Sequence, residues 1–266
     1  MTLVQIAILA VVQGVTEFLP ISSHAHLILT RHLLGLPEAG LMIDVAVHVG
    51  TLFAVVLYFW RDVWWIVRDL LKLLTGRVAP GAVLGGQIVI ATLPVVAAGF
   101  LVDRYVGEKL NTLPIIAWTT LLFGIVLYVV DRFSMTFRRI EHLTVPQSVF
   151  VGVAQVLSLL PGVSRSGITM TAARLLAYER AEAARFSLLL SMPAILGAGT
   201  LVGIDIYKTG NPELHADMAV AAALSFLSAL VAIALMMSWL QRASFTPFVV
   251  YRVALGILLL IWVYGP

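Results

Sequence analysis

Residues 3–26 read LVQIAILAVVQGVTEFLPISSHAH, an apolar run that stops at Pro20 and is followed by a pair of serines. A helix over residues 3–18 would be about 24 Å long, which is short of the roughly 30 Å of hydrocarbon in a bilayer. Because proline interrupts a helix, we predict a break here and a second short helix over residues 24–34. The segment of about 3–34 is therefore predicted to enter the membrane and return to its own side as a re-entrant hairpin.

A second segment, residues 146–176, repeats this pattern and predicts a second re-entrant hairpin. The apolar run SVFVGVAQVLSLL is followed by Pro-Gly at 161–162 and by Ser-Arg-Ser at 164–166. VQGVTEFLP at 12–20 aligns with AQVLSLLP at 154–161 on the shared Leu-Pro, which is a weak internal similarity. Irregular backbone at membrane depth is tolerated only where it is buried in protein or lines a wet cavity. We therefore expect both breaks to lie inside the protein.

The rest of the chain is strongly apolar. Of its 266 residues, 61% are hydrophobic and 12% are charged, and the mean hydropathy is +1.01; a soluble domain carries about 25% charged residues. Six further segments are long enough to span a bilayer, at about 41–60, 82–102, 113–131, 183–205, 217–240 and 247–264. The sequence thus predicts an all-α polytopic membrane protein with six transmembrane helices and two re-entrant helical hairpins, in a single integral membrane domain over residues 1–266.

Two features exclude whole classes of function. The chain has no cysteine, which excludes disulfides and cysteine-based metal or redox sites. Its net charge of +3 comes from basic residues in short loops between apolar segments, so we expect no nucleic-acid partner.

The predicted segments divide the chain into two halves, at about 1–132 and 145–266, each with one hairpin followed by three spans. A hairpin leaves the chain on its own side and three spans carry it across, so the second half must be inverted relative to the first. Inverted-topology repeats whose broken helices meet near the midplane are a recurrent plan of transporters. Residues 61–77 alternate charged and large apolar residues at helical spacing, which predicts an amphipathic helix at the interface.

Lysine and arginine are distributed unequally between the two predicted sides. The side with the N-terminus and the loops near 31–40, 103–110 and 206–216 carries Arg31, Arg104, Lys109 and Lys208. The other side carries eleven: Arg61, Arg68, Lys72, Arg77, Arg132, Arg138, Arg139, Arg174, Arg180, Arg185 and Arg242. Because cytoplasmic loops are enriched in these residues, we predict that both termini are extracytoplasmic and that the site opens to the exterior. Arg174, on the predicted cytoplasmic flank, is expected to tolerate replacement by lysine.

Polar residues at membrane depth mark functional sites by default. In the first hairpin, Gln13 and Glu17 share a helical face at i, i+4, and Ser22, Ser23 and His26 follow at the turn. The two serines suit the capping of the next helix, and capping alone is the simplest explanation for them. The N-terminus of that helix would offer free N–H groups and a partial positive charge to an anion.

The second hairpin carries a matching polar set of Ser164, Arg165, Ser166 and Thr169. The planar guanidinium of Arg165 suits bidentate binding of phosphate or carboxylate. Alternatively, Arg165 and Glu17 form only a buried ion pair that joins the two halves. The functional interpretation is favoured because an acid, hydroxyls, histidine and arginine occur together at two breaks in an otherwise apolar chain.

Other polar residues are weaker candidates. His24 is expected to be structural, since it and His26 lie on opposite faces of a helix. Asp44 and His48 share a face at i, i+4, and either support the site from behind or form an interfacial pair. Two classes of function stay open at this point, a phosphate-handling enzyme and a lipid-phosphate transporter or flippase, because inverted repeats with midplane anion sites suit both.

The two breaks resemble the motifs of a known family. Residues 13–26, QGVTEFLPISSHAH, look like the (E/Q)xxxE-FLPxSSxGH motif of the bacterial undecaprenyl-diphosphate phosphatases, the bacitracin-resistance family. Residues 161–169, PGVSRSGIT, resemble that family's PGxSRSxxT motif, and the likeness continues to residues 245–252, FTPFVVYR. This chain departs from the first motif at Gln13, where glutamate is commoner, and at Ala25, where the family has glycine.

The resemblance implies an enzyme of the bacterial inner (plasma) membrane that hydrolyses undecaprenyl diphosphate to undecaprenyl phosphate and inorganic phosphate. This reaction recycles the lipid carrier of peptidoglycan synthesis. The resemblance also implies a divalent cation, Mg²⁺ or Ca²⁺, which Glu17 would hold with help from Gln13.

The resemblance suggests a role for each site residue. Arg165 clamps the diphosphate, and the substrate-binding groups beside it are Ser22, Ser164, Ser166 and Thr169. Ser23 and His26, at i, i+3 on one face, would supply the nucleophile and the general acid/base. A water activated by His26 fits equally well, so the nucleophile stays open. The oligomeric state, with a homodimer as one option, also stays open.

Overall fold

The computed structural model describes residues 1–36, 41–105, 107–209 and 212–265. This part of the chain folds into the helices α1 (Leu3–Thr16), α2 (Ser23–Leu33), α3 (Leu41–Tyr58), α4 (Trp60–Leu73), α5 (Pro80–Tyr105), α6 (Leu113–Phe133), α7 (Val145–Val156), α8 (Arg165–Leu175), α9 (Arg180–Thr209), α10 (Pro212–Leu240) and α11 (Thr246–Tyr264). Short 3-10 turns form over Gly107–Leu110, Ile140–His142 and Leu157–Leu159. The predicted all-α class is confirmed.

Several of these helices are long and apolar enough to cross a bilayer. Within the described residues, four qualify by length and hydropathy: Pro80–Val102, Leu113–Phe133, His215–Leu240 and Thr246–Tyr264. α3 and α4 together qualify as a fifth if they form one span, although the chain bends by 82° between them. Large apolar side chains on these helices are exposed, among them Leu93, Phe100 and Leu258. Such a surface suits contact with lipid, and the chain is an integral membrane protein.

The predicted amphipathic segment 61–77 forms a helix, α4, which begins directly after the bend. The predicted span 183–205 falls within α9, but the side chains of its later part lie outside the described residues. The side chain of Lys208 and parts of the predicted loops at 31–40 and 206–216 also lie outside them.

Both predicted helix breaks are present. Residues 17–22 separate α1 from α2, and residues 157–164 separate α7 from α8. The residue before each of the two short helices is a serine with a positive φ, 72° at Ser22 and 73° at Ser164. Such a backbone conformation costs a non-glycine residue about 1–3 kcal/mol and persists only where the surroundings hold it in place. The two turns are therefore alike in conformation as well as in sequence.

The helices pack in pairs that bring the breaks into the interior. α1 and α3 pack on α10, α5 packs on α7, and α6 packs on α11. Glycines permit the closest of these approaches. A Cβ added at Gly14 would lie 2.5 Å from the carbonyl oxygen of Ser225, and one added at Gly50 would lie 2.2 Å from that of Ala222. Larger side chains at these positions would push α1 and α3 away from α10.

Arg174 is fully buried and does not lie on an exposed flank. Its guanidinium donates to the carboxylate of Asp131 at 3.0 Å, to the carbonyl oxygens of Ser134 and Met135 at 3.3 Å each, and to that of Tyr178. The predicted tolerance of lysine concerned activity and stays a prediction, whereas the burial of Arg174 adds an effect on stability. Counting positive residues along a chain gives their side of the membrane, but it does not distinguish solvated arginines from buried ones.

We expect Arg174→Lys to lower the stability of the protein. Lysine keeps the charge but loses the planar fork, and because breaking a buried ion pair costs about 3–5 kcal/mol, retaining one contact should leave a loss of ~2 kcal/mol. Thermal melting of the purified protein in detergent measures this loss. Arg242→Lys, at an exposed arginine, is the control and should melt like the wild type. Equal melting of the two variants would contradict the structural role of Arg174.

Candidate active site

A polar cavity of about 980 Å³, its open mouth included, lies where the two breaks meet. Its polar lining comes from both breaks and from neighbouring segments: Glu17, Ser22, Ser23, His24, His48, Asn111, Ser158, Ser164 and Arg165. The breaks also contact each other directly, since the hydroxyl of Ser166 donates a 2.9 Å hydrogen bond to the carbonyl oxygen of Leu19. The structure thus brings together most of the predicted site residues, which come from opposite halves of the chain.

Glu17 is the centre of the hydrogen bonds in this cavity. Its Oε1 lies 2.5 Å from Nη2 of Arg165, so an ion pair joins the two breaks. Its Oε2 accepts from the hydroxyl of Ser23 at 2.6 Å and from Nε2 of Gln13 at 2.8 Å. The side chain of Glu17 is 7% exposed and that of Arg165 is 19% exposed, which leaves the guanidinium accessible from the cavity. The carboxylate of Glu17 therefore contacts both the hydroxyl of Ser23 and the guanidinium of Arg165.

His26 lies apart from Ser23 in its hydrogen bonding. Its Nδ1 is 2.7 Å from the carbonyl oxygen of Ser22, and because a carbonyl oxygen only accepts, this nitrogen carries a proton. The Nε2 of the neutral ring then accepts from the hydroxyl of Tyr251 at 2.6 Å, and the two rings stack with centroids 5.6 Å apart. Ser23, in contrast, donates to Glu17. The predicted partnership of Ser23 with His26 is therefore not the contact that the structure presents.

The predicted substrate-binding residues of the second break divide into two groups. Ser164 lines the cavity and caps α8, since its hydroxyl accepts from the N–H of Gly167 at 3.1 Å. Ser166 and Thr169 face the protein interior, where Ser166 bonds to the first break and Thr169 lies 2.6 Å from the hydroxyl of Ser187. Ser166 and Thr169 therefore brace the turn, while Ser164 and the accessible guanidinium of Arg165 face the space where an anion would bind.

His48 lines the cavity, although the sequence analysis left its role undecided. Its Nδ1 lies 2.6 Å from the carbonyl oxygen of Asp44 and carries a proton there, which directs Nε2 towards Oε2 of Glu17 at 3.8 Å. The carboxylate of Asp44 pairs with Arg31 instead. The i, i+4 spacing of Asp44 and His48 was the available signal, and the structure favours support of the site by His48 over a pair between the two side chains.

Two further residues of this region carried no site prediction. Asn111 lines the cavity and lies 3.2 Å from Nε2 of His24, which is exposed on the cavity wall. Arg252 belongs to the last stretch of family likeness and is fully buried behind both turns. The family likeness of residues 245–252 was the available signal for Arg252, whereas no pattern in the sequence points to Asn111.

The donor set around Glu17 fits a divalent cation of the hard type. The Oε1 atom of Gln13 is buried and has no hydrogen-bond partner among the described residues, and the amide that carries it contacts Glu17. Across the same residues no group of three or more acidic, histidine or cysteine side chains gathers as a metal cluster. With the amide turned so that Oε1 replaces Nε2 beside Glu17, Gln13 and Glu17 would supply two oxygen ligands, and water and a phosphorylated substrate would supply the rest, as is common for Mg²⁺.

Comparison with known proteins gives matches over nearly the whole chain. A family model described as bacitracin resistance protein BacA matches residues 6–258. Undecaprenyl-diphosphatase 1 of Rhodospirillum rubrum is 50% identical over 274 aligned residues, which cover 100% of this chain and 97% of that protein. The undecaprenyl-diphosphatases of Jannaschia sp. and Roseobacter denitrificans are each 48% identical over 267 aligned residues, the full length of both chains. The similarity therefore includes both breaks and α11.

Proposed function

The chain belongs to the bacitracin resistance protein BacA family, and we propose that it hydrolyses undecaprenyl diphosphate to undecaprenyl phosphate and inorganic phosphate. This reaction would recycle the lipid carrier of peptidoglycan synthesis. One observation carries the proposal: Ser23, Glu17 and Arg165 form a continuous set of contacts in a polar cavity within an otherwise apolar helical protein. In a phosphoryl transfer the hydroxyl can act as the nucleophile, the carboxylate can take its proton, and the guanidinium can stabilise the charge on the phosphoryl group.

An apolar groove beside the first break supports a lipid substrate. It encloses about 1240 Å³ between α1, α10 and α11 and is lined mainly by Val15, Leu19, Leu227, Val231, Leu235 and Phe248. Leu19 belongs to the break that carries Glu17, so the groove lies close to the polar cavity. A prenyl chain could rest in the groove while its diphosphate enters the cavity, which matches the division of most ligand sites into apolar walls and a few polar anchors.

In the proposed reaction, Arg165 and the free N–H groups at the starts of α2 and α8 bind the diphosphate. The hydroxyl oxygen of Ser23 attacks the terminal phosphorus as its proton passes to Glu17, and the bond from that phosphorus to the bridging oxygen breaks. Undecaprenyl phosphate leaves with the electron pair of that bond. Water then cleaves the phosphoserine and releases inorganic phosphate. A bound divalent cation would neutralise part of the diphosphate charge.

Glu17, and not His26, takes the proton of Ser23 in this proposal. The carboxylate already accepts a hydrogen bond from Ser23, whereas Nε2 of His26 would first have to leave the hydroxyl of Tyr251. The acid/base role predicted for His26 stays a prediction, because activation of the water that cleaves the phosphoserine would likewise require Nε2 to leave the hydroxyl of Tyr251.

Phosphate release by the purified protein tests the proposed function. With Mg²⁺ or Ca²⁺, the protein should release inorganic phosphate from undecaprenyl or farnesyl diphosphate, and EDTA should stop the release. The rival function is transport of a lipid phosphate. Movement of labelled prenyl phosphate between leaflets without phosphate release would support the transporter and refute the phosphatase.

We propose the finer topology on the same basis as the sequence analysis: six transmembrane helices, two re-entrant hairpins and an inverted repeat, in a bacterial plasma membrane. Both termini then lie outside the cytoplasm and the cavity opens outwards. A reporter that is active only outside the cytoplasm, fused after Pro266, should be active, and its counterpart that is active only inside should be silent. The reverse result would overturn the inverted repeat. A homodimer remains a prediction that the mass of the solubilised protein tests.

We expect Arg165→Lys to reduce phosphate release by about tenfold or more, because lysine keeps the charge but loses the bidentate fork. The measurement is kcat/KM for farnesyl diphosphate. Arg242→Lys is the matched control and should retain full activity, since Arg242 is exposed and distant from both breaks in the chain. If the Arg165→Lys enzyme is fully active, Arg165 is only a counter-ion for Glu17.

A further inference from the structure

Arg252 contacts both turns of the site from behind. It is fully buried on α11, and its guanidinium donates to the carbonyl oxygen of Pro20 at 3.3 Å. It also donates to those of Gly162 at 2.9 Å and Val163 at 3.0 Å, and to that of Thr120 on α6 at 3.2 Å. Pro20 belongs to the first break and residues 162–163 belong to the second. One planar group therefore holds the backbone of both breaks.

The surroundings leave room for Arg252 and for little else. A Cβ added at Gly124 on α6 would lie 2.9 Å from Cβ of Arg252, and one added at Gly167 on α8 would lie 2.9 Å from its Nη1. Gly162, which has a φ of +90°, approaches α6 so closely that its Cβ would lie 2.1 Å from the hydroxyl of Thr119. Three glycines thus allow the second turn to fit tightly between α6, α8 and α11.

A second contact mirrors the first. The hydroxyl of Thr119 on α6 contacts the carbonyl oxygen of Pro161, the proline of the second break, and shares its one proton with the carbonyl oxygen of Ile115 in its own helix at 2.7 Å. Counted from the start of each helix, Thr119 is residue seven of α6 and Arg252 is residue seven of α11. These two helices pack against each other, and each reaches across to the proline carbonyl of the opposite half. We call these two contacts, Thr119 with Pro161 and Arg252 with Pro20, the tethers. They occupy equivalent positions in the two halves of the chain.

The tethers determine where the N–H groups of the turn are directed. The described peptide bonds are all trans, so a carbonyl and the following N–H point in opposite directions. Because Arg252 holds the carbonyl of Val163, the N–H of Ser164 is directed away from the guanidinium, and Ser164 lines the cavity. The hydrogen bonds of Arg252 also explain how Ser22 and Ser164 keep positive φ angles. Ser22 lies two residues after the carbonyl of Pro20, and Ser164 lies one residue after that of Val163.

We propose that Arg252 is a positioning residue of this site: it holds the backbone of both turns, it directs the N–H of Ser164 towards the diphosphate, and it adds a fixed positive charge without touching the substrate. Among the described residues, the guanidinium of Arg252 bonds to carbonyl oxygens and to no carboxylate. Its positive charge is therefore not neutralised by an ion pair within that set. An uncancelled buried charge acts strongly in a low-dielectric interior. The inference rests on the proposed phosphatase function.

The test compares two fully buried arginines. Arg252→Lys should lower kcat for farnesyl diphosphate by about fiftyfold or more and weaken inhibition by a non-hydrolysable methylene diphosphonate analogue about tenfold. Arg174→Lys removes a similar set of carbonyl contacts at a site that does not line the cavity. It should lower the melting temperature yet leave kcat and the inhibition constant of the folded enzyme within about twofold. A folded Arg252→Lys enzyme with wild-type kcat and inhibition would overturn the proposal.

Thr119→Val keeps the test decisive if Arg252→Lys does not fold. Valine has the shape of threonine but cannot tether Pro161, so kcat should fall about fivefold with little change in melting; an unchanged kcat would overturn the proposal. Failure of the positioning role and failure of the proposed phosphatase function are distinguished by measuring direct binding of the diphosphonate analogue to the wild type. Binding without phosphate release refutes the phosphatase alone, and loss of that binding in Arg252→Lys would still support the positioning role.

Discussion

Glu17→Gln is expected to abolish phosphate release, with a loss of kcat of about 10²–10⁴-fold, the range for removal of a general base. Glutamine preserves the size of the side chain but cannot take the proton that the hydroxyl of Ser23 now directs at Oε2 from 2.6 Å. It also removes the carboxylate that we propose as a cation ligand. The measurement is phosphate release from farnesyl diphosphate over a range of Mg²⁺ concentrations.

A structural effect of this substitution has to be separated from a catalytic one. Removing one member of a fully buried ion pair costs about 3–5 kcal/mol, but the side chain of Arg165 is 19% exposed and lines the cavity, so hydration should reduce that cost. We expect Glu17→Gln to melt close to the wild type in detergent. Loss of activity together with unfolding would mean that the ion pair with Arg165 only joins the two halves.

Gln13→Glu is the matched control for the cation. It places a second carboxylate beside Glu17, in contact with the oxygen that Gln13 now donates to. Two adjacent carboxylates repel each other unless a cation lies between them, so this variant should stay active and depend more steeply on Mg²⁺. An inactive Gln13→Glu enzyme would argue against placing the cation at these two side chains.

The helix breaks could be predicted because their causes are local. Pro20 and Pro161 each end an apolar run that is too short to span a bilayer. Of the serines that follow, Ser164 caps its helix with its hydroxyl as expected, whereas Ser22 makes no side-chain capping bond. The structure has both breaks where the sequence places them. The contact between Glu17 and Arg165 could be anticipated for a related reason, since each is the charged residue of its own break and a membrane interior favours pairing.

The contacts of Ser23 could not be predicted in the same way. The i, i+3 rule that paired Ser23 with His26 assumes a regular helix and says nothing of other segments. In the structure Ser23 is the first residue of α2, and Ser22 before it has a φ of 72°. This conformation, which the local sequence does not favour, accompanies a hydroxyl that meets Glu17 six residues back in the chain.

The two buried arginines show the same limit over longer distances. Arg174 meets Asp131, which lies 43 residues earlier, and Arg252 meets Pro20, which lies 232 residues earlier. Their sequence surroundings resemble those of exposed arginines on a flank or a helix. Only the packing of α6, α8 and α11 distinguishes them, so a reading of one sequence by periodicity and charge leaves them among the surface residues.

Ser23→Ala distinguishes the two nucleophiles that the sequence left open. If the hydroxyl of Ser23 attacks phosphorus, alanine should reduce kcat by about 10³-fold or more, because the remaining site offers only binding and electrostatic stabilisation to a misplaced water. Folding should be little affected, since the hydrogen bond that is lost lies in a cavity with an open mouth, where water can replace the hydroxyl. Ser164→Ala is the matched control: it removes a cavity hydroxyl that caps α8, so it should lower stability by ~1 kcal/mol and activity only a few-fold.

Detection of a phosphoenzyme shows directly whether Ser23 or water is the nucleophile. With Ser23 as nucleophile, acid quenching during turnover of substrate labelled in its terminal phosphate should leave label on the protein at Ser23, and the Ser23→Ala enzyme should retain none. The contact to Glu17 is the physical reason to expect this result, because the carboxylate is placed to take the proton of the hydroxyl during its attack. If Ser23→Ala keeps activity within about tenfold of the wild type and no label is trapped in either enzyme, water is the nucleophile. Glu17 would then activate that water, and Ser23 would serve only to orient the carboxylate.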